Sequence, residues 1–287
     1  MNEDVRGGDL TELEGLSGHR YKIERVLQDK GSLLGRVILA THRKEKFFLK
    51  EIPPNNYEFR LEKNLPTATT KTILKDTLRG LAAMHDKDIV HNDIKANNIM
   101  VNTTDGPHGL VVKQTQLTDL EDSAHCPPPG NLIGAQLGNW MWRSPEAHAG
   151  GPMNKSSDIF AFAIVVMHLR HDKTIIFGVM KEELGEDEEV LSIVLERQLS
   201  YFGDPEAFNG FLQYLYDGNP RNPWIEIFQA AQSSFNAEYP REPFSLWQDE
   251  SIDEDFRGLI VKMANFNPER RITAREALEH KWFMDVK

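Results

Sequence analysis

The chain of 287 residues contains a single cysteine, Cys126, which excludes an internal disulfide and a zinc site built from several cysteines. It also lacks a basic excess: 44 acidic residues against 33 basic ones give a net charge of −11, which argues against a general nucleic-acid binder. The longest apolar stretch, Ile159 to Leu169, is too short to span a bilayer, and the first ten residues do not resemble a signal peptide. We therefore expect a soluble intracellular protein, cytoplasmic or nuclear, that binds neither a membrane nor nucleic acid.

The residues that are present are sufficient for a folded core, since 40% are hydrophobic and 27% are charged. From Tyr21 to Ile52, short segments rich in Val, Ile, Tyr and Phe alternate with turn-like residues, which predicts strands. Thr69 to His85 has the apolar spacing of an amphipathic helix, with threonines at its start as candidate N-caps. Asp88–Val90, Ile99–Val101 and Leu110–Leu117 predict a hairpin-like region, and helical patterns dominate from Ser157 onward. A small β part followed by a larger helical part predicts an α+β fold with two lobes.

The chemistry-bearing residues lie around the run His91 to Asn98, which reads HNDIKANN. Asp119 follows Asn98 by 21 residues at the end of a predicted strand, and Lys50 ends the strand-like segment Phe47-Phe48-Leu49. Phosphoryl transfer requires positioning and the cancellation of negative charge rather than covalent work by the protein. Asp93 could accept a hydroxyl proton, Asn98 and Asp119 could hold a metal ion, and Lys50 could hold phosphates. These four residue types predict a phosphoryl-transfer site.

The run HNDIKANN resembles the catalytic loop of the eukaryotic protein kinase domain, which reads HRD followed by Lys-x-x-Asn, except that Asn92 replaces the arginine. Other motifs of that family follow in the same order. They are Ser144-Pro145-Glu146 for its Ala-Pro-Glu, Ser157–Phe162 for the start of its large buried helix, and Asn267–Thr273 with His280–Phe283 for its last helix. The resemblance covers Tyr21 to Phe283 and implies a protein kinase-like fold, with a small β-rich N-lobe and a larger, mainly helical C-lobe.

The resemblance implies a serine/threonine protein kinase that transfers the γ-phosphate of ATP to a protein hydroxyl, with magnesium as the metal. Asp93 would be the catalytic base, and Lys95 would stabilise the transferring phosphate. Asn98 and Asp119 would hold magnesium and take part in nucleotide binding, and Lys50 would contact the α- and β-phosphates. Lys95, two residues after Asp93, resembles the serine/threonine branch rather than the tyrosine branch.

The resemblance also implies two structural links in the C-lobe. Glu146 would pair with Arg271, which joins the activation segment to the last helix. Asp158 would bind the backbone of the catalytic loop and so attach that loop to the helical core. Trp140 and Trp142 are interpreted as packing residues. Cys126 precedes three prolines, and we expect it to be exposed.

The glycine-rich loop that cradles phosphates in this family is degenerate here. Alignment on Gly35-Arg36-Val37 places Lys30 and Ser32 where the family has its first two glycines, whereas a one-residue insertion makes Gly31 the second glycine. Gly31, Gly35 and Val37 are the candidate nucleotide-binding residues of this loop. The metal-binding motif is Asp119-Leu120-Glu121 in place of Asp-Phe-Gly, so that Glu121 replaces the glycine hinge.

The upper lobe is predicted to be truncated. Between Lys50 and the helix near Thr69, the family has a helix, two strands, a hinge and part of another helix, which need roughly 40 residues. Residues 51 to 67 supply only 17, and Glu58 or Glu62 are the candidate partners of Lys50. We therefore divide the chain into a flexible flank at 1–20, a truncated N-lobe at 21–67 and a C-lobe at 68–287. Around 175–250 the C-lobe carries a helical insertion, a candidate docking site for a partner.

Two alternatives to the enzyme hypothesis are open. A pseudokinase would use the kinase-like C-lobe as an interaction scaffold without transferring phosphate, and a small-molecule phosphotransferase would share a similar His-x-Asp loop. Retention of the four polar residues favours the enzyme, whereas the short upper lobe favours the scaffold. Asn92 in place of arginine, with Ser123 as the only hydroxyl side chain between Leu120 and Arg143, predicts an activation segment that works without phosphorylation.

Overall fold

A computed structural model describes residues 12–14, 20–29, 36–43, 45–51, 65–106, 109–171, 175–180, 183 and 189–286. The chain divides into two compact units, Met1–Arg60 and Leu61–Lys287. No helix in the described ranges is long and apolar enough to cross a membrane.

The first unit contains an antiparallel sheet of four strands in the order β1-β2-β3-β4. The strands are β1 (Glu12–Glu14), β2 (Arg20–Asp29), β3 (Arg36–His42) and β4 (Glu45–Glu51). The three strands predicted between Tyr21 and Ile52 are confirmed, and β1 is an addition that its acidic composition does not predict. Ile38, Leu39 and Ala40 of the inner strand β3 are buried. Burial of apolar residues on a strand flanked by two others stabilises this sheet.

The second unit consists mainly of helices. They are α1 (Thr67–His85), α2 (Pro145–His148), α3 (Lys155–Arg170), α4 (Val190–Phe202), α5 (Pro205–Gly218), α6 (Trp224–Ser233), α7 (Glu254–Met263) and α8 (Ala274–Leu278). Short 3-10 turns cover Ala96–Asn98, Phe244–Leu246, Pro268–Arg270 and Lys281–Phe283. Helices α4, α5 and α6 fall within the region from 175 to 250.

Helix α1 confirms the predicted amphipathic helix and begins two residues earlier than expected, at Thr67. Its buried face is formed by residues spaced three or four apart, including Leu74, Leu78 and Leu81. The predicted threonine cap is wrong, because Pro66 is the N-cap residue and makes no side-chain capping bond. The backbone carbonyl of Pro66 instead accepts from the Thr70 amide at 3.0 Å, which starts the helical hydrogen bonds.

Helix α3 is the centre of the second unit, as the resemblance to the family's large buried helix implies. Every residue from Ser157 to Met167 is buried, and a helix buried on all sides occurs in the core of a large domain. The Asn154 side chain caps its start by accepting from the Ser156 amide at 2.9 Å. Phe160 stacks on Phe177 and meets the edge of Phe202, so that α3 and α4 share one aromatic core.

Two short sheets lie between α1 and α2. Strands β6 (Ile99–Gly106) and β7 (Gly109–Leu117) form the predicted antiparallel hairpin. Strand β5 (Ile89–Val90) does not join that hairpin as expected, because it pairs with β8 (Ala124–His125). This pairing brings the backbone amide of Cys126 to the Asp88 carbonyl at 2.7 Å. Cys126 is therefore buried rather than exposed, and its thiol donates to the Gly130 carbonyl at 3.2 Å.

Candidate active site

The loop from His91 to Asn98 follows β5 and is attached to α3 by one buried carboxylate. The Asp158 carboxylate accepts from the backbone amides of His91 and Asn92, at 2.8 and 2.9 Å, and from the His85 ring at 2.9 Å. A buried carboxylate needs such donors to offset the loss of its water. The predicted link between Asp158 and the catalytic loop is thus confirmed.

Three hydrogen-bond donors meet at the Asp93 carboxylate. One oxygen, Oδ2, accepts from the Lys95 ammonium at 2.5 Å and from the Asn98 amide at 3.0 Å. The other oxygen, Oδ1, accepts from the backbone amide of Asn139 at 3.3 Å. Asp93 is 8% exposed, so these contacts fix the direction of a nearly buried carboxylate. The structure brings together three of the predicted residues, Asp93, Lys95 and Asn98.

The hairpin β6–β7 brings Asn98 and Asp119 to the same end. Ile99 pairs with Leu117, and the Asn98 carbonyl accepts from the amide of Thr118 at 2.9 Å, one residue before Asp119. Asn98 donates its side-chain amide to Asp93, which leaves its side-chain carbonyl oxygen as an available acceptor. Within the described part of the chain, the half-buried Asp119 carboxylate makes no hydrogen bond or ion pair. One carboxylate and one amide oxygen fit magnesium, which prefers oxygen ligands and retains several waters.

The predicted nucleotide-binding residues of the first unit are described by backbone alone or not at all. Lys50 lies on β4 directly opposite Val37 on β3 in the strand register. Gly31 and Gly35 lie outside the described residues, and so do Glu58 and Glu62. Their proposed roles stay predictions.

The segment before α2 touches the catalytic loop at Gly138, a contact that sequence reasoning missed. Gly138 has a φ of +76°, and a Cβ there would lie 2.5 Å from the Asn92 carbonyl oxygen, so only glycine fits. This close approach places the following amide, that of Asn139, on Asp93. In the sequence, the only indication of this contact is a glycine, Gly138, directly before Asn139.

Arg143 is a second missed residue, and it holds the shape of this segment. Its guanidinium donates to three consecutive carbonyls, of Gln136, Leu137 and Gly138, at 2.7 to 3.0 Å. Partial burial lowers the pKa of Arg143. The neighbouring His148 is uncharged, since burial, followed by the charge of Arg143, lowers its pKa to about 3.

Glu146 and Arg271 form the predicted ion pair, and both side chains are 0% exposed. The guanidinium makes two contacts with the carboxylate, at 2.5 and 2.8 Å, and Ser157 donates its hydroxyl to the same carboxylate at 2.8 Å. Burial alone would raise the pKa of Glu146, but the charge and hydrogen bonds of Arg271 lower it overall. The predicted pairing of Glu146 with Arg271 is confirmed, with Arg271 lying between the 3-10 turn Pro268–Arg270 and the last helix, α8, rather than within that helix. The tryptophans nearby pack as expected, with Trp142 buried and Trp140 packed against the core.

Comparison with known proteins was consistent with this geometry. Residues 36–283 match a family model described as "Protein kinase domain". Among curated proteins, the chain is similar to cyclin-dependent kinase D-1 of Oryza sativa subsp. japonica, with 24% identity over 77% of this chain and 45% of that protein. It is similar to cyclin-dependent kinase B2-1 of Arabidopsis thaliana, with 24% identity over 78% of this chain and 62% of that protein.

The chain thus spans less than two thirds of the length of these curated relatives. A solved structure described as a kinase domain aligns with a TM-score of 0.54 at 14% identity, covering 92% of this chain and 95% of that one. At this identity the likeness concerns the fold alone.

Proposed function

Because the chain belongs to the protein kinase family and has the predicted kinase-like α+β fold, we propose that it is an active serine/threonine protein kinase. It transfers the γ-phosphate of ATP to a hydroxyl group of a protein substrate. The observation that carries this proposal is the Asp93 carboxylate, which is nearly buried and oriented by Lys95, Asn98 and the Asn139 amide. The choice of serine or threonine rests on Lys95, as the resemblance implies.

In the proposed mechanism, Asp93 acts as the base. It accepts the proton of the substrate hydroxyl while that oxygen forms a bond to the γ-phosphorus and the bond to the leaving ADP breaks. Lys95 supplies a positive charge beside Asp93, where charge develops on the transferred phosphate. Asn98 and Asp119 would hold magnesium, which neutralises phosphate charge when bound.

The first unit has the proposed task of holding ATP. Lys50 would contact the α- and β-phosphates, and Gly31, Gly35 and Val37 would cover the nucleotide. We retain the division into a flank at 1–20, a truncated N-lobe at 21–67 and a C-lobe at 68–287. The helices between 175 and 250 would dock a partner, and the location would be cytoplasmic or nuclear.

The second candidate function is an interaction scaffold without transfer activity. It is favoured by the short connection between the two units, because β4 ends at Glu51 and α1 begins at Thr67. The small-molecule phosphotransferase hypothesis has less support, since the family match is to the protein kinase domain. Small alcohols and a peptide library, offered as alternative acceptors, separate that hypothesis from the protein kinase.

The first experiment measures the thermal midpoint of the purified chain with and without magnesium and ATP. At a hundredfold excess over the dissociation constant, binding adds about 2.7 kcal/mol. The midpoint then rises by about 5–10 °C. A metal-dependent rise of that order supports the kinase, whereas a cooperatively folded sample with no rise supports the scaffold.

The second experiment measures γ-phosphate transfer by the wild type and by Asp93→Asn. Removing the proposed base is expected to lower the rate by about 10²–10⁴-fold. Asp88→Asn is the matched control, because Asp88 lies five residues away and its carboxylate pairs with Lys155. Equal transfer by wild type and Asp93→Asn would mean a contaminating activity and would contradict the proposal.

A further inference from the structure

The loop that carries Asp119 is held on both sides by the catalytic loop. Before Asp119, the His91 ring donates to the Thr118 carbonyl at 3.1 Å. After Asp119, the Asn92 side-chain amide donates to the Asp122 carbonyl at 2.8 Å. Two hydrogen bonds, donated by the adjacent residues His91 and Asn92, therefore hold the chain on either side of Asp119.

The Asn92 amide can serve as an anchor because its own backbone is fixed. Its backbone amide donates to Asp158 at 2.9 Å, and the residue is 8% exposed. Asn92 has a φ of +66°, in the left-handed region that asparagine tolerates better than most residues. In this conformation the short side chain reaches across to Asp122. Asparagine thus combines the backbone conformation and the hydrogen-bond donor that this position requires.

Asp119 also adopts a left-handed backbone conformation, with a φ of +65°. A non-glycine residue in this region costs free energy and persists when its surroundings hold it. The next turn is closed by a hydrogen bond from the Ser123 amide to the Leu120 carbonyl at 3.1 Å. The Asn92 contact at Asp122 lies inside that turn, so it holds the turn and the conformation of Asp119 together.

We propose that Asn92 is a positioning residue for Asp119 and fixes its loop in the unliganded protein through a direct side-chain contact. The inference rests on the proposed function in one respect, namely that Asp119 holds magnesium. The contact is made to a backbone carbonyl, so it needs no side chain of the loop and no added phosphate. Asn92, which departs from the family's arginine, therefore has a specific task in this chain.

The test compares Asn92→Gly with Asp88→Gly by hydrogen exchange and mass spectrometry on the unliganded full chain. Glycine tolerates the left-handed backbone at both positions, since Asp88 has a φ of +57°, so the two variants differ in the side chain that is lost. In Asn92→Gly, the Ser123 amide is expected to exchange about three- to tenfold faster than in the wild type. In Asp88→Gly, that amide is expected to exchange at the wild-type rate. Equal exchange at Ser123 in wild type and Asn92→Gly would overturn the inference.

The second arm measures the magnesium concentration that gives half of the thermal shift at a fixed, saturating concentration of ATP. If Asn92 positions Asp119, Asn92→Gly requires about three- to tenfold more magnesium, while Asp88→Gly requires the wild-type concentration. A shift to the same extent in both variants would contradict a specific role of Asn92. If the wild type shows no magnesium-dependent shift, the proposed function fails, and the hydrogen-exchange arm still decides whether Asn92 holds the loop.

Discussion

The segment from Asp119 to Glu146 is held at its two ends by different chemistry. At the first end the donors are neutral amides. The Asn92 side-chain amide donates to the Asp122 carbonyl, and the Asn92 backbone amide donates to the Asp158 carboxylate. At the second end, a fully buried ion pair joins Glu146 to Arg271. Both ends depend on the start of helix α3, because Ser157 donates to Glu146 and the next residue, Asp158, accepts from the catalytic loop.

This difference indicates different roles for the two ends. A buried charge that loses its partner is costly, so the Glu146 end contributes strongly to whether the second unit folds. The bond from the Asn92 side-chain amide to the Asp122 carbonyl joins two neutral groups and contributes about 0.5–1.5 kcal/mol, so this contact mainly sets where Asp119 lies. Two adjacent residues of α3 thus connect the stability of the unit to the geometry of the site.

The largest expected effect on stability follows from breaking the buried ion pair between Glu146 and Arg271. Arg271→Met leaves the Glu146 carboxylate buried without a counter-charge and removes a cation that lies 4.9 Å from the Phe160 ring. We expect the free energy of unfolding, measured by urea titration, to fall by about 3–5 kcal/mol. Arg270→Met is the control: its exposed side chain pairs with exposed Glu206, and its loss is expected to cost about 0–1 kcal/mol. Equal losses in the two variants would contradict the proposed importance of the buried pair.

A smaller effect is expected from Asp158→Asn at the other end. The amide keeps one acceptor oxygen, but its NH2 group faces the second backbone donor of the catalytic loop. We expect a loss of about 1.5–3 kcal/mol in the free energy of unfolding. The transfer rate is expected to fall as well, since the loop that carries Asp93 loses an anchor. Asp86→Asn is the control, because Asp86 is exposed and its ion pair with Arg275 lies on the surface. Full activity in Asp158→Asn would show that this anchor does not position Asp93.

Much of this arrangement could be predicted from the sequence. The strands between Tyr21 and Ile52 and helix α1 have clear periodicity, and α3 reads as a continuous apolar run. Asp158 and the Glu146–Arg271 pair were predicted through the family resemblance, because each belongs to a motif that this chain retains. The fold and the contacts of Asp158, Glu146 and Arg271 can therefore be predicted from local sequence patterns and retained motifs.

The contacts that could not be predicted are those made between loops. The amide of Asn139 reaches Asp93 across 46 residues of sequence, and the contact depends on the left-handed conformation of Gly138. Strand β5 has only two residues, too few for any periodicity, so its pairing with β8, which buries Cys126, has no signal in the sequence. The sequence shows that Asn92 replaces an arginine, but the bond of Asn92 to Asp122 depends on a positive φ that no local pattern specifies.

A third prediction concerns how the contribution of the Glu146–Arg271 pair to stability depends on pH. The folded state holds the pKa of Glu146 below its ordinary value of 4.5, so the ion pair contributes its full stability above about that pH. This contribution is lost as the pH falls below 4.5 toward the folded-state pKa, because the unfolded chain then binds the proton first. The double variant Glu146→Gln/Arg271→Met has no titrating pair there. We expect the wild type to lose more free energy of unfolding than this variant between pH 7 and pH 4, and parallel losses would contradict the assignment.

The last prediction is that phosphorylation of the segment from Asp119 to Glu146 has no effect on activity. Arginine in the catalytic loop of the family commonly binds an activating phosphate, whereas Asn92 here binds the Asp122 carbonyl directly. The one hydroxyl side chain between Leu120 and Arg143, that of Ser123, is half-buried and donates to the His91 carbonyl at 3.4 Å. We expect phosphatase treatment of the purified chain to leave its transfer rate unchanged, and Ser123→Ala to behave like the wild type. A large drop in rate after phosphatase treatment would mean that a phosphate, rather than the Asn92 side chain alone, holds the first end of the segment.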